Sequence, residues 1–402
     1  MIKKIFYGWW IVLSCFFISL YVGSVIFYGF TAFFEPLVKE FGWSYTQISF
    51  ATSLRGLEMG IFAPFVGFLV DRFGSRKLIL FGTITVGFGL ILLSLTRSLA
   101  MFYGSFLLIA FGAGGCTNVV IMTVVANWFH RNVGRALGIT ISGFGASGLL
   151  IPIIVHLIDL YDWRTIFIVL GLGMWVIGIP LSFAIRNKPE QYGYIPDGKL
   201  SADPINNLEK QSNEVEIGIK EVLKKRSFLY LNIVEAIRMM ILAAVVIHVM
   251  PYLSSVGMQR VTAGLVAGAI PLFSIVGRFG FGWLSDVFEK RHVMATAFLF
   301  MSFGMLAFRY VHLKWAVFLF ILLFSSGYGG NMVLRGSILR EYFGRDSFGK
   351  MIGITMGSAS FGGIIGPTLA GWVFDNLGSY QLIWLAFCGL SSLAIILILR
   401  IK

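Results

Sequence analysis

Twelve runs of mostly apolar residues, each about 20 or more long and each ended by charge or a glycine–proline cluster, fill most of the 402-residue chain. A run of that length matches the thickness of a bilayer's hydrocarbon core. In lipid every backbone N–H and C=O has to be paired within the segment, which a helix does on its own. Composition agrees: 57% of the residues are hydrophobic and 13% charged, against roughly 25% charged in an ordinary soluble domain. So little charge cannot coat a soluble particle, and the expected fold class is an all-α, polytopic membrane protein.

Apolar length places the helices at 7–34, 46–70, 78–96, 100–128, 134–157, 164–186, 227–256, 261–285, 292–310, 315–340, 348–373 and 379–400. This divides the chain into a six-helix bundle over 1–186, a polar linker over 187–226 and a second six-helix bundle over 227–402. The linker carries Lys188, Glu190, Asp197, Lys199, Glu209, Lys210, Glu214, Glu216, Lys220 and Glu221 and is expected to stay in water. Ile217, Ile219, Val222 and Leu223 could give it a short surface helix. The first apolar run is too long for a removable signal peptide and lacks a small-residue cleavage site, so it reads as the first span. Loops on the side of the N terminus and linker carry 22 Lys and Arg residues, and the opposite loops carry six. Because basic loops stay inside, both termini are expected in the cytoplasm of a multi-pass protein of the plasma (inner) membrane.

The net charge of +13 is scattered in small clusters between apolar runs. No basic stripe with interleaved aromatics is present, so nucleic acid is not an expected partner. Cys15, Cys116 and Cys388 are far apart, odd in number and set in apolar stretches, which fits small core residues better than a disulfide or metal frame.

An internal repeat supports the two-bundle division. Gly67-Phe-Leu-Val-Asp71 recurs as Gly282-Trp-Leu-Ser-Asp286, Gly138-Ile-Thr-Ile recurs as Gly353-Ile-Thr-Met, and Pro152 matches Pro367, all at one offset of 215 residues. Two related halves facing each other form a transporter architecture, with substrate held near the midplane between them.

The segment Gly67-Phe-Leu-Val-Asp71-Arg72-Phe-Gly74-Ser-Arg76-Lys77 resembles the signature G-x-L-x-D-R-x-G-x-R-K of the major facilitator superfamily. That resemblance implies a gate in which Asp71, Arg72 and Arg76, with Asp286 and Arg135 of the neighbouring elements, lock one end of the bundle shut. Within the superfamily, Tyr7-Gly8-Trp9-Trp10, Trp128-Phe129-His130-Arg131, Gly134-Arg135-Ala136-Leu137-Gly138, Pro189-Glu190 and Gly193-Tyr194-Ile-Pro196-Asp197-Gly198 resemble the monocarboxylate transporter family. Its bacterial relatives include oxalate/formate antiporters, and the set is closest to bacterial members that carry lactate.

Four arginines lie inside spans: Arg55, Arg238, Arg278 and Arg335. An intramembrane cation is a functional candidate by default. Arg278 falls in the eighth span, about two turns from the end marked by Asp286, and its planar fork suits a carboxylate. The family carries its carboxylate-binding arginine at this position. Two departures accompany that match. Ser274 stands where proton-coupled members have an Asp one turn earlier, and Tyr28 stands where they have a lysine, so the usual proton-handling pair is absent.

Further candidates for the substrate site are Asn118, Tyr28, Tyr328 and Asn331, each weighed evenly against helix-to-helix hydrogen bonding, together with Ser274. His248 could hydrogen-bond substrate or carry protons, and Glu58 is the other coupling candidate. Arg55 with Glu58, and Glu235 with Arg238, are spaced to pair on one helix face, while Arg335 near its helix end is expected to snorkel or touch a gate. The glycine-rich stretches 112–115, 143–148 and 357–366 are expected to let helices pack closely.

No H-E-x-x-H, G-x-S-x-G or phosphate-binding loop motif occurs, and the five histidines are scattered. Neither catalysis nor a cofactor nor a nucleotide is expected. The resulting expectation is a secondary transporter of small monocarboxylates of the L-lactate and pyruvate type, coupled to protons as a symporter. Its expected partners are the anion, a proton and the lipid bilayer. Exchange of one carboxylate for another is the alternative mode, and a membrane nutrient sensor is the alternative class.

Overall fold

A computed structural model describes residues 6–57, 66, 69–70, 72–116, 118–129, 132–195, 225–343 and 348–401. Glu58, Asp71 and the surface helix expected within the linker lie outside the described residues, as do the side chains of Arg55 and Asn118. The described residues form an all-helical fold. The helices are α1 Tyr7–Phe41, α2 Tyr45–Leu57, α3 Ser75–Ser94, α4 Leu99–Gly114, α5 Asn118–Trp128, α6 Val133–Tyr161 and α7 Trp163–Ala184. They continue as α8 Arg226–Ser255, α9 Arg260–Val287, α10 Lys290–Arg309, α11 Lys314–Phe343, α12 Phe348–Leu377 and α13 Gln381–Leu399. Ten of them are long and apolar enough to cross a membrane. Of the others, α4 and α5 share the expected fourth span, and α2 opens the second.

The first helix runs past its expected end at 34. Beyond Phe34 it continues as an amphipathic turn with Glu35 at its start and Lys39 at its end, charges that suit the helix dipole. Gly42, in the left-handed region at φ 64°, stops it. Apolar length alone could not register a helix that leaves the apolar layer and keeps going. Midway, α1 is not a regular α-helix: Gly23–Tyr28 widens into a π-helical segment, and Gly29–Phe33 tightens into a 3-10 one. A π-bulge changes the phase of the side chains beyond it and often marks a functional site. Here the segment ends at Tyr28.

Helix α1 packs on α6 and α7, α3 on α4 and α7, and α2 on α4, which makes one bundle. Helices α8, α12 and α13 pack together, as do α9, α10 and α11, which makes the second. The two meet along α2 against α12, α6 against α9, and the tight segment of α1 against α8. The repeat explains this arrangement, since α2 and α9 are counterparts across the offset, as are α6 and α12.

The bonds between bundles concentrate at the end away from the chain termini, called the distal end below. The Asp375 carboxylate accepts from Tyr45 N–H at 3.0 Å and Thr46 N–H at 2.8 Å, capping the start of α2. Arg260 opens α9 and reaches Asp159 at 2.7 Å and Glu35 at 3.2 Å. Tyr45 and Arg260 are 215 residues apart, so one pseudo-twofold operation maps one clasp close to the other. Deeper in, Ser53 and Thr368 hydroxyls lie 2.9 Å apart, and Thr31 donates to Ile247 O at 2.9 Å. Gly148 and Gly268 pass so closely that a Cβ on Gly148 would sit 2.0 Å from Gly268 O. At the terminal end the described polar contacts, such as Lys290 with Glu341, Arg291 with Ile401 O and Arg76 N–H with Asn187, each stay within one bundle. The bundles are closed against each other distally, and among the described residues no polar contact joins them at the end that carries the termini.

Gly148→Val is expected to wedge the α6–α9 contact apart, at a cost of about 1–3 kcal/mol in this distally closed state. Spin labels at the exposed distal positions Arg97 and His312 should then show a distance distribution shifted to longer values.

Candidate functional site

Arg278 projects from α9 toward α6, and its Nη1 donates to Ile141 O at 3.2 Å. Its Nε and Nη2 are shielded from solvent and have no hydrogen-bond partner. None of the ion pairs among the described residues includes Arg278. Nε–H and the neighbouring Nη2–H form one edge of the guanidinium, the edge that grips a carboxylate through two parallel hydrogen bonds. A buried donor without a partner is costly, more so when charged. The side chain therefore lies at the bundle interface with this edge unmatched among the described residues.

Tyr28 and Tyr328 are both buried, and their hydroxyls lie 2.7 Å apart across the bundle interface. The irregular segment of α1 presents Tyr28 to α11, so these two candidates come together as one polar bridge. The remaining candidates are placed differently. Ser274 is fully buried, and its hydroxyl donates to Pro271 O one turn back. Asn331 is fully buried inside the second bundle, with its amide donating to Met301 Sδ of α10 at 3.4 Å and its carbonyl oxygen unpartnered. Helix-to-helix bonding, the alternative weighed for Asn331, is what this geometry displays. Asn118 starts α5, and its side chain lies outside the described atoms.

His248 sits in a closed protein shell at the distal side. Its Nδ1 is 2.9 Å from the Tyr380 hydroxyl, and its Nε2 is 2.9 Å from Pro367 O and 3.0 Å from the Ser49 hydroxyl. A carbonyl can only accept, so Nε2 carries the proton and Tyr380 O–H donates to Nδ1. The neutral ring is fully satisfied in this way. A second proton on Nδ1 would require Tyr380 to turn its hydrogen elsewhere. In this arrangement the ring offers substrate no free nitrogen, and it ties α8 to α12 and, through Ser49, to α2 of the other bundle.

The gate candidates lie at the end that carries the termini. Arg72, Arg135 and Asp286 are exposed, and the Arg76 guanidinium lies over the Phe183 ring at 5.2 Å. Nearby, the motif residues Tyr7, Trp128 and Tyr194 gather into one aromatic cluster. Arg186 stacks on Tyr7 at 4.0 Å, and Trp128 donates to Arg186 O. These motifs pin the start of the linker onto the first bundle.

One group went unrecognised from sequence. Glu235 Oε2 accepts from Arg238 Nε at 2.9 Å and Nη2 at 2.8 Å, and Arg335 Nη1 of α11 lies 3.6 Å from the same oxygen. The Glu235–Arg238 pairing was legible from its spacing. Arg335, expected to snorkel or touch a gate, instead reaches across helices to the buried carboxylate of Glu235. Oε1 of Glu235 has no partner, and Arg238 is near enough to Tyr28 and Tyr328 to interact with both. The available signal was an intramembrane acid in a chain with more intramembrane arginines than acids.

The sequence model of the Major Facilitator Superfamily matches residues 10–279 and 239–402. The chain belongs to the major facilitator superfamily. It is 26% identical over 378 residues to an uncharacterized MFS-type transporter, YcxA, of Bacillus subtilis (strain 168), covering 90% of this chain and 88% of that one. It is 25% identical to monocarboxylate transporter 12 of Mus musculus, covering 96% and 83%, and 23% identical to monocarboxylate transporter 2 of Homo sapiens, covering 95% and 83%. A bacterial homolog of the human lysosomal transporter Spinster, in an inward-facing and occupied conformation, superposes with a TM-score of 0.73 at 14% identity, covering 98% and 94%. The fold is thus that of the superfamily, twelve transmembrane helices in two pseudo-symmetric halves, and the protein is a multi-pass membrane transporter.

His248→Ala removes a donor from Pro367 O and an acceptor from Tyr380. It is expected to destabilise the protein by about 1–3 kcal/mol, seen as a lowered Tm in a thermal-shift assay. Carboxylate affinity measured by calorimetry on the same protein should stay close to wild type.

Proposed function

We propose that this superfamily member is a secondary transporter of small monocarboxylates of the L-lactate and pyruvate type, taken up together with a proton by alternating access. The observation that carries the reading is the unmatched Nε/Nη2 edge of Arg278. A carboxylate docking there converts two unsatisfied donors into a bidentate, charge-assisted pair in a site shielded from water, where such pairs are strong. The similarity to monocarboxylate transporters 12 and 2 supports the same substrate class. Tyr28 and Tyr328 are the neutral hydrogen-bonding partners nearest the interface, and Asn118 is a further candidate.

The basic terminal-side loops support cytoplasmic termini in the plasma (inner) membrane. On that orientation the terminal end faces inward, and Arg72, Arg76, Arg135 and Asp286, with Asp71, are the groups that would meet when this end closes. Gating then exchanges distal contacts between bundles for terminal ones.

A second reading, exchange of one carboxylate for another, has its own support. At the family's two proton-handling positions stand Ser274, bonded to its own helix, and Tyr28, bonded to Tyr328. Vesicles preloaded with unlabelled acid separate the two modes, since strict exchange needs internal substrate and symport does not.

Arg278→Ala is expected to abolish uptake of labelled lactate into proteoliposomes under an imposed pH gradient. Arg278→Lys keeps the charge and loses the fork, with an expected loss of roughly 10-fold or more, about the worth of one charge-assisted hydrogen bond. Unchanged uptake in Arg278→Ala would overturn the assignment.

A further inference from the structure

We propose that Glu235 is the proton-carrying group of this transporter, and that Arg238 and Arg335 make its protonation depend on the bound anion; this rests on the carboxylate-transport reading above. Three observations converge on it. First, Glu235 is fully buried in α8, inside a membrane-spanning segment, where an acid is rare and costly unless it is used or paired. Second, its two oxygens are unequal. Oε2 takes every guanidinium contact, from Arg238 and Arg335, while Oε1 has none. A proton can therefore join Oε1 without breaking an existing bond. Third, among the described residues the cluster is not electroneutral: one carboxylate faces two permanent cations on different helices, which leaves one positive charge in excess.

That excess supplies the coupling. With no anion present, the carboxylate of Glu235 is the one acid described beside two guanidiniums. An entering carboxylate adds a negative charge to the same positive field, and a proton joining Oε1 offsets that added charge. By reciprocity, a proton on Oε1 strengthens binding of the anion to the same extent. Arg335 Nε is also buried and unpartnered, so the cluster retains a donor when substrate arrives. The proton adds to a lone pair of Oε1 from water on one side and leaves from the same oxygen to water on the other; no other covalent bond changes.

Among the described residues, the groups around Glu235 are few. On its own helix are Arg238 and Asn232, whose carbonyl oxygen accepts from Ser358 of α12. From α11 come Arg335 and Tyr328, and from α1 comes Tyr28. Arg278 of α9 is turned to α6, and the α12 groups placed alongside, Ser358 and Gly362, do not titrate. The Tyr28–Tyr328 bridge links this cluster to the interface between bundles, so opening that interface changes what Arg238 senses.

The test uses the full-length protein in proteoliposomes with labelled lactate. In wild type, a pH gradient of one unit should drive accumulation up to about tenfold over the outside concentration. Glu235→Gln is expected to retain exchange of internal for external lactate at a rate within a few-fold of wild type, while its gradient-driven accumulation falls to onefold. Accumulation above onefold in Glu235→Gln overturns the inference. If this variant does not fold, wild-type protein decides: lactate binding followed by calorimetry in buffers of different ionisation enthalpy should take up about one proton per anion, and uptake of none overturns the proposal. Glu235→Asp, which keeps the carboxyl, should restore accumulation. A wild type that exchanges lactate but never accumulates it refutes the role of Glu235 and leaves the carboxylate reading standing. A wild type that neither binds nor moves any monocarboxylate refutes that reading itself.

Discussion

A guanidinium cannot give up its charge inside a membrane as an amine can, so each buried arginine has to be answered by its surroundings. The three intramembrane arginines whose side chains are described answer the problem in two ways. Arg238 and Arg335 share one native acid, Glu235, and are held in place by it. Arg278 has one backbone carbonyl and otherwise nothing, and it stands where the two bundles face each other. The difference separates a cation the fold has neutralised from one it keeps in reserve. The position of Arg278, on the α9 face that meets α6, is set by the packing of the bundles, and that packing depends on small residues that let the two helices approach.

Much of the architecture was legible because the bilayer imposes a length and the repeat imposes a symmetry. Twelve apolar runs and one shared offset fix the number of helices and which of them are counterparts. Helix ends were less legible where polarity and helicity part company, as at Phe34–Phe41, whose charged turn is helical although it is not apolar. The irregularity at Gly23–Phe33 was also hidden, since its two glycines and one serine look like ordinary packing residues in a sequence.

The site was only partly legible. Arg278 stood out because intramembrane charge is conspicuous, and the pairing of Glu235 with Arg238 followed from one-turn spacing. Arg335 could not be placed, because its partner sits on another helix and contacts between helices leave no local pattern. His248 looked like a candidate for chemistry by residue type alone. Its three neighbours, Tyr380, Pro367 and Ser49, come from distant parts of the chain and occupy both ring nitrogens. The distal clasps were missed for the same reason: Arg260, Asp159, Glu35 and Asp375 are far apart in the chain, and only the fold sets them against their partners.

The Gly148–Gly268 crossing has a mechanical consequence. Two helix backbones touching without side chains have no rotamers to disengage, so one can roll on the other as on a plain bearing. Resistance to motion is then concentrated in the polar latches farther out, where a handful of hydrogen bonds and ion pairs must rupture together. On the alternating-access reading proposed above, the tempo is set by how fast those latches let go, and the pivot itself adds little friction.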